Sequence, residues 1–146
     1  MTSTETHDES ARRQLREAGL RATPARVAVL GVLRSAGNLL SHAEVVEQLD
    51  GRGWDPATIF RNLVTLAEVG FVRRTDVGDH VWRFELVEED DQGITHEHAH
   101  FLCKGCGEVT CMPEFELKLP RGSRVPRSVK AHAVDIQLHG LCDQCE

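Results

Sequence analysis

Residues 55–86 read DPATIFRNLVTLAEVGFVRRTDVGDHVWRFEL, and this stretch decides the fold. An Asp at position 55 can accept the unpaired N–H groups of a helix start, and Pro56 fits the first helical position. Gly70 supplies the stop. Between them Ile59, Leu63 and Leu66 share one face of a helix. Thr58, Arg61, Asn62 and Thr65 share the opposite face, at the i, i+3, i+4, i+7 spacing of successive turns. The run FVRRT (71–75), the turn DVGD (76–79) and the run HVWRFEL (80–86) then read as a β-hairpin. A polar helix face is usually a solvated one. A polar-faced helix feeding a hairpin is instead the pattern of a recognition helix followed by a wing.

Upstream residues supply the rest of a winged helix-turn-helix. Residues 1–10, MTSTETHDES, are polar and acidic and are expected to be a loose tail. A short helix is expected over 10–18, stopped by Gly19. Thr23-Pro24 opens a second helix, which turns Val27, Leu30 and Leu33 inward and fades at Gly37. Ser41 and Glu44 form an S-x-x-E capping box at the head of a third, with Val45, Val46 and Leu49 inward. Downstream, the acidic run VEEDDQGIT (87–95) reads as a linker or exposed loop. HEHAHFLC (96–103) and AVDIQLHG (133–140) read as strands.

Charge divides the same way. Of 146 residues, 17 are Lys or Arg and 23 are Asp or Glu, a net charge of −6, which excludes a uniformly basic nucleic-acid binder. Yet residues 12–74 hold ten Arg and six acids, net +4, whereas residues 81–146 hold seven basic residues and twelve acids, net −5. Six of the eight His lie at or after position 80, and all five Cys lie after position 100. A front half suited to a polyanion thus precedes a back half suited to metal. No apolar run is long enough for a membrane span and no secretory signal is visible, so a cytoplasmic location is expected.

The strongest chemical signal is Cys103-x-x-Cys106 with Cys142-x-x-Cys145. Two such knuckles can surround Zn²⁺ with four thiolates, and a saturated Cys₄ site is normally structural. The 35 residues between them exceed the spacing of a compact zinc ribbon, so a fold must bring the knuckles together. Disulfides and free buried thiols are the competing readings, and disulfides are disfavoured without an export signal. Cys111 is left over and reads as a small buried side chain. The second signal is His96, His98 and His100, which a strand would project from one face. Glu85, at the end of the hairpin, could add a carboxylate. Such nitrogen and oxygen ligands suit Zn, Fe, Ni or Mn alike. Without such company, alternating His would read as a polar exposed strand. The third signal is the helix face itself: Arg61 could reach a phosphate or guanine, Asn62 could read adenine, and Thr58 sits in the first turn, the end that enters a groove.

Four runs together resemble the ferric uptake regulator family: AGLRATPARVAVLGVL (18–33), ATIFRNLVTLAEVGFVRR (57–74), HEHAHFLCKGC (96–106) and GLCDQC (140–145). The resemblance spans about residues 11–146. It implies a dimeric, metal-sensing repressor of α+β class, with an N-terminal winged-helix domain and a small α/β zinc-containing dimerisation domain. The corresponding divisions are a flexible tail over 1–10, the DNA-binding domain over 11–84, a hinge over 85–95 and the metal-binding dimerisation domain over 96–146. It implies structural zinc on Cys103, Cys106, Cys142 and Cys145, and a second, regulatory divalent metal, Zn²⁺ or Fe²⁺ being favoured, on Glu85, His98 and His100. Arg21 takes the place of the basic residue that approaches the minor groove, and Arg61 that of the recognition-helix arginine. The implied partners are operator DNA and a second copy of the chain.

The sequence departs from the family pattern at several points. The usual fourth sensing ligand, a His before the third helix, is here Leu39, and His42, His96 or His80 are the candidates to replace it. Phe60 stands where a Tyr is usual. A further metal site found in some members is degraded, with Ala99 in the place of an acid and His132 off register. Pro113, Pro120, Gly122 and Pro126 interrupt the stretch where a long dimerisation helix would lie, so a short helix or an irregular crossing is expected.

The implied mechanism is that ligands from both domains, held by one ion, set the spacing of two recognition helices in a dimer. Peroxide sensing is a rival within the family, and Glu85 in place of an Asp leans away from it. A zinc-stapled protein-binding adaptor is a rival outside it. A metalloenzyme is disfavoured because no H-E-x-x-H or other hydrolase signature is present.

Overall fold

The computed structural model describes residues 2–87, 99–131 and 134–146, with side chains from residue 7 onward. The chain divides into two compact units, residues 1–76 with 80–87, and the turn 77–79 with the remainder.

The first unit runs α1 (Thr2–Glu17), α2 (Pro24–Ala36), β1 (Leu40–Ser41), α3 (His42–Gln48), α4 (Pro56–Glu68), β2 (Val72–Asp76) and β3 (Trp82–Leu86). Local signals set most helix ends. The Thr23 hydroxyl accepts from the Arg26 N–H at 3.3 Å, and α2 stops at Gly37, which adopts a left-handed φ of 59°. The capping box is closed both ways: the Glu44 N–H donates to the Ser41 hydroxyl at 3.2 Å, and the Ser41 N–H to the Glu44 carboxylate at 3.1 Å. Asp55 accepts from the Thr58 N–H at 2.7 Å at the head of α4.

The first helix departs from expectation. It begins at Thr2, not Ser10, so residues 2–9 are helical rather than a loose tail. No Gly or Pro interrupts residues 2–17, and the acids at 5, 8 and 9 precede Arg12, Arg13 and Arg16, an order that suits the helix dipole.

Leu15, Val29, Leu33, Val45, Ile59, Leu63, Leu66 and Phe84 form one core. The Ile59, Leu63 and Leu66 face of α4 is therefore the buried one, which leaves the Arg61 side outward. The sheet is ordered β1-β3-β2, with both pairings antiparallel. Three helices, a fourth with an outward polar face and a two-stranded wing make the winged helix-turn-helix. Glu85 lies inside β3, opposite Arg73, and so belongs to the wing rather than to a hinge over 85–95.

The second unit is built on a three-stranded sheet ordered β5-β4-β6, from β4 (Ala99–Cys103), β5 (Val109–Met112) and β6 (Gln137–Gly140). β4 pairs antiparallel with β5 and parallel with β6. A parallel neighbour needs a crossover, and here residues 113–126 carry no helix or strand. Among the described residues between β5 and β6, the helix is the single-turn α5 (Arg127–Lys130), preceded by Pro126. The molecule is thus an α+β chain, a winged helix followed by a small mixed domain.

Candidate metal centres and nucleic-acid interface

Cys103 ends β4, Cys106 follows in the turn toward β5, and Cys142 and Cys145 follow β6. Because β4 and β6 run parallel and side by side, their C-terminal ends deliver both knuckles to one place. The four Sγ atoms lie within 4.8 Å of one another. A tetrahedral ion with Zn–S bonds of about 2.3 Å requires sulfurs about 3.8 Å apart; Cys106 and Cys142 stand 3.8 Å apart. That separation is far beyond the roughly 2.05 Å of a disulfide. The four residues therefore fit zinc.

The electrostatics point the same way. The N–H groups of Gly105 and Cys142 reach the Cys103 sulfur at 3.3 Å each, and that of Cys106 at 3.5 Å. The Cys106 N–H, followed by that of Cys142, holds the Cys103 thiol down at about 6. The adjacent thiols of Cys142, Cys103 and Cys106 push Cys145 up to about 12. One thiolate forms readily, while Cys106 and Cys145 resist joining it until a cation offsets the crowded negative charge.

The regulatory candidates are described within their own units. Glu85 is 6% exposed in β3, and its Oε1 lies 3.6 Å from Arg73 Nη1. His100 is 6% exposed in β4. His96 and His98 lie outside the described residues, as do His132 and the acidic run from position 88. His42 begins α3. Its Nε2–H donates to the Pro56 carbonyl at 2.8 Å, and its ring meets Phe60 edge-on at a centroid distance of 5.3 Å. The β1–β3 register, Leu40 with Phe84 and Ser41 with Arg83, leads buried Leu39 toward Glu85 and His42 away from it. The replacement of the missing His by His42 thus gains nothing from this geometry. His80, at the wing turn, adopts a left-handed φ of 62°.

On α4, Arg61 is exposed and donates to the Thr58 hydroxyl at 3.4 Å, so Asp55, Thr58 and Arg61 form one short network at the helix head. Phe60 beside it is 39% exposed. Asn62 is differently engaged from its sequence reading: its Oδ1 accepts from Arg26 Nε at 3.2 Å. Arg26 also donates to the Arg21 carbonyl at 3.0 Å, and Arg12 to the Ala22 carbonyl at 3.2 Å. These two arginines fix the segment that presents exposed Arg21.

Sequence reasoning leaves the place of four residues of this surface and site unread. Arg26 is one of ten front-half arginines, with nothing local to mark its two acceptors. On the wing, the Arg74 guanidinium stacks 4.1 Å over the ring of exposed Trp82. A signal exists there, since alternate wing positions face one way. Cys111, which reads as a small buried side chain, is half-buried on β5 directly across from His100.

The ferric uptake regulator family model matches residues 17–139. The peroxide-responsive repressor PerR of Staphylococcus aureus is 28% identical over 141 residues, covering 90% of this chain and 86% of its own. The ferric uptake regulator of Vibrio cholerae superposes with a TM-score of 0.68 at 26% identity, over 90% of this chain and 98% of its own. A zinc uptake regulator complexed with zinc and DNA shares the fold, with a TM-score of 0.60 at 24% identity over 99% and 96% of the two chains.

Proposed function

Because the chain belongs to the ferric uptake regulator family, whose members are metal-responsive transcription regulators, we propose that it is a homodimeric repressor of metal uptake or homeostasis genes, sensing zinc or iron. The observation that carries the DNA half of this reading is exposed Arg61 on a capped, well-packed α4. Its opposite face is wholly buried, so the helix has one way to present itself. Arg61 and Thr58 would contact the major groove, with Asn62 held by Arg26 to support them, and Arg21 would approach the minor groove. Two such helices in a dimer would serve grooves about 34 Å apart.

The regulatory ligands in this proposal are Glu85, His98 and His100, with His96 or His42 as the fourth. A bound divalent cation would supply the positive charge and directional bonds that these side chains share. Glu85 ends the wing, while His98 and His100 belong to the second unit. Holding them together restricts how the winged helices are presented. A restriction of about 1–3 kcal/mol suffices for a roughly 5- to 150-fold change in operator affinity. The Cys₄ zinc site, by contrast, stabilises the second unit whatever the state of the sensing ligands.

The test is fluorescence anisotropy with promoter DNA, adding each divalent metal in turn to protein of verified zinc content. One metal should raise affinity, and Arg61→Ala should remove binding at unchanged zinc content. Equal affinity in chelator and in every metal would refute the reading. The identity to a peroxide-responsive repressor supports a second one, peroxide sensing at the same ligands. Under that reading, peroxide treatment of the iron-loaded protein abolishes operator binding and adds oxygen to a ligand His by mass spectrometry.

A further inference from the structure

We propose that Cys111 gives a thiolate to the sensing ion beside His100, and that this sulfur selects zinc over manganese. The proposal rests on the reading of a sensing ion at His100 given above.

The β4–β5 register pairs His100 with Cys111, and Leu102 with Val109 two residues along. Directly opposed residues of antiparallel strands project to the same face, with Cβ atoms about 4.5–5.5 Å apart. The ligand atoms follow the backbone: a ring nitrogen of His100 and the Cys111 Sγ lie within 4.8 Å of each other. That is bridging distance for one ion with bonds of about 2.0–2.1 Å to nitrogen and 2.3 Å to sulfur. The imidazole is 94% buried, and buried Leu102 and half-buried Val109 form the next pair on that face. One side of the pair is therefore walled by apolar groups.

Cys111 is not a spare for the structural zinc. That site already gathers four sulfurs, a full tetrahedron, around Cys103. Three residues of extended strand, about 10 Å, separate Cys103 from His100, and adjacent strand residues alternate in direction, so the two point to opposite faces. Thiolate is a soft ligand suited to zinc, whereas manganese sites favour oxygen and nitrogen. Within the second unit, His100 and Cys111 thus offer one nitrogen and one sulfur to the same ion.

The experiment starts from protein carrying one zinc per chain, verified by elemental analysis, and titrates Co²⁺ into the second site. Zinc in the Cys₄ site is spectroscopically silent, and a chelating dye reports any zinc displaced. A near-ultraviolet sulfur-to-cobalt charge-transfer band is expected together with visible ligand-field bands. Cys111→Ser should lose the charge-transfer band and keep the ligand-field bands. Loss of a direct ligand should weaken zinc at this site by at least the roughly tenfold that loss of a supporting hydrogen bond costs, while manganese affinity stays within about twofold. A second ion bound without a charge-transfer band, or a band unaltered in Cys111→Ser, overturns the thiolate and leaves the sensing ion standing. No second ion at all overturns the sensing reading itself. Alkylation followed by mass spectrometry tests the unmutated chain: zinc beyond one equivalent should protect Cys111, and unchanged labelling overturns the proposal.

Discussion

Arg26 ties together two parts of the proposed DNA-binding surface. Its Nε serves Asn62 on α4 and its Nη1 serves the Arg21 carbonyl, so one guanidinium ties the recognition helix to the segment bearing the second DNA candidate. Arg26→Ala should weaken operator binding severalfold although Arg26 need not touch DNA, while zinc content and helix content stay unchanged. Arg26→Lys should recover little, because an ammonium lacks the fork that reaches two acceptors at fixed angles. Anisotropy titration of both variants checks this, and wild-type affinity in Arg26→Ala would return Asn62 and Arg21 to independent roles. The same pair shows where residue-level reading stops. A helical wheel places Asn62 correctly beside Arg61, but its partner lies 36 positions away, and no periodicity reports a contact at that range. Cys111 escapes a sequence reading for the same reason, since its neighbour is set by strand register.

At the scale of the element, the signals that hold are the ones carried by a few adjacent residues. Thr23-Pro24, Ser41 with Glu44 and Asp55-Pro56 each start a helix where the sequence puts one, because a cap is a bond between a side chain and an N–H two or three residues on. The start of α1 lies where side chains are not described, and it is not legible in the sequence. The Asp55 cap also has a pH signature. The Thr58 hydroxyl and then its N–H hold the Asp55 carboxyl below its ordinary range. A depressed folded pKa means that the cap's full contribution is present above the unfolded value, near 3.9. It is lost as pH falls through the lower folded value. Asp55→Asn keeps an acceptor and removes the titration. Thermal melts from pH 6 downward should show the wild type ahead or level at the top and losing ground to Asp55→Asn below about pH 4. Parallel pH dependence in the two proteins would show that the carboxylate bond to Thr58 contributes nothing to α4.

For the whole molecule, the charge split and the two cysteine knuckles make the division into two units legible in the order of the amino acids. The composition of the crossover is legible too: its prolines forbid a long helix, and residues 113–126 hold none. If the four cysteines hold zinc, as proposed, that ion is a main tie of the second unit. Its sheet has three short strands, and its described interior is far smaller than the core packed around Phe84 in the first unit. Four sulfurs at the ends of β4 and β6 bracket a loop of 35 residues, and the unfolded chain has no such site, so under the zinc proposal binding and folding of this unit are one equilibrium. Stripping zinc with a strong chelator under reducing conditions should therefore melt the second unit alone. Helical circular dichroism, dominated by α1, α2 and α4, should persist with a cooperative thermal transition, while amide protection is lost across 99–103, 109–112 and 137–140. The loss should come more easily at pH 5 than at pH 8, because protons compete for the thiolates. Cys103, held at about 6, should be the last to take one. Retained protection in those strands without zinc would make the site a passenger on a fold that stands without it, and simultaneous melting of α2 and α4 would show that the winged helix has no stability of its own.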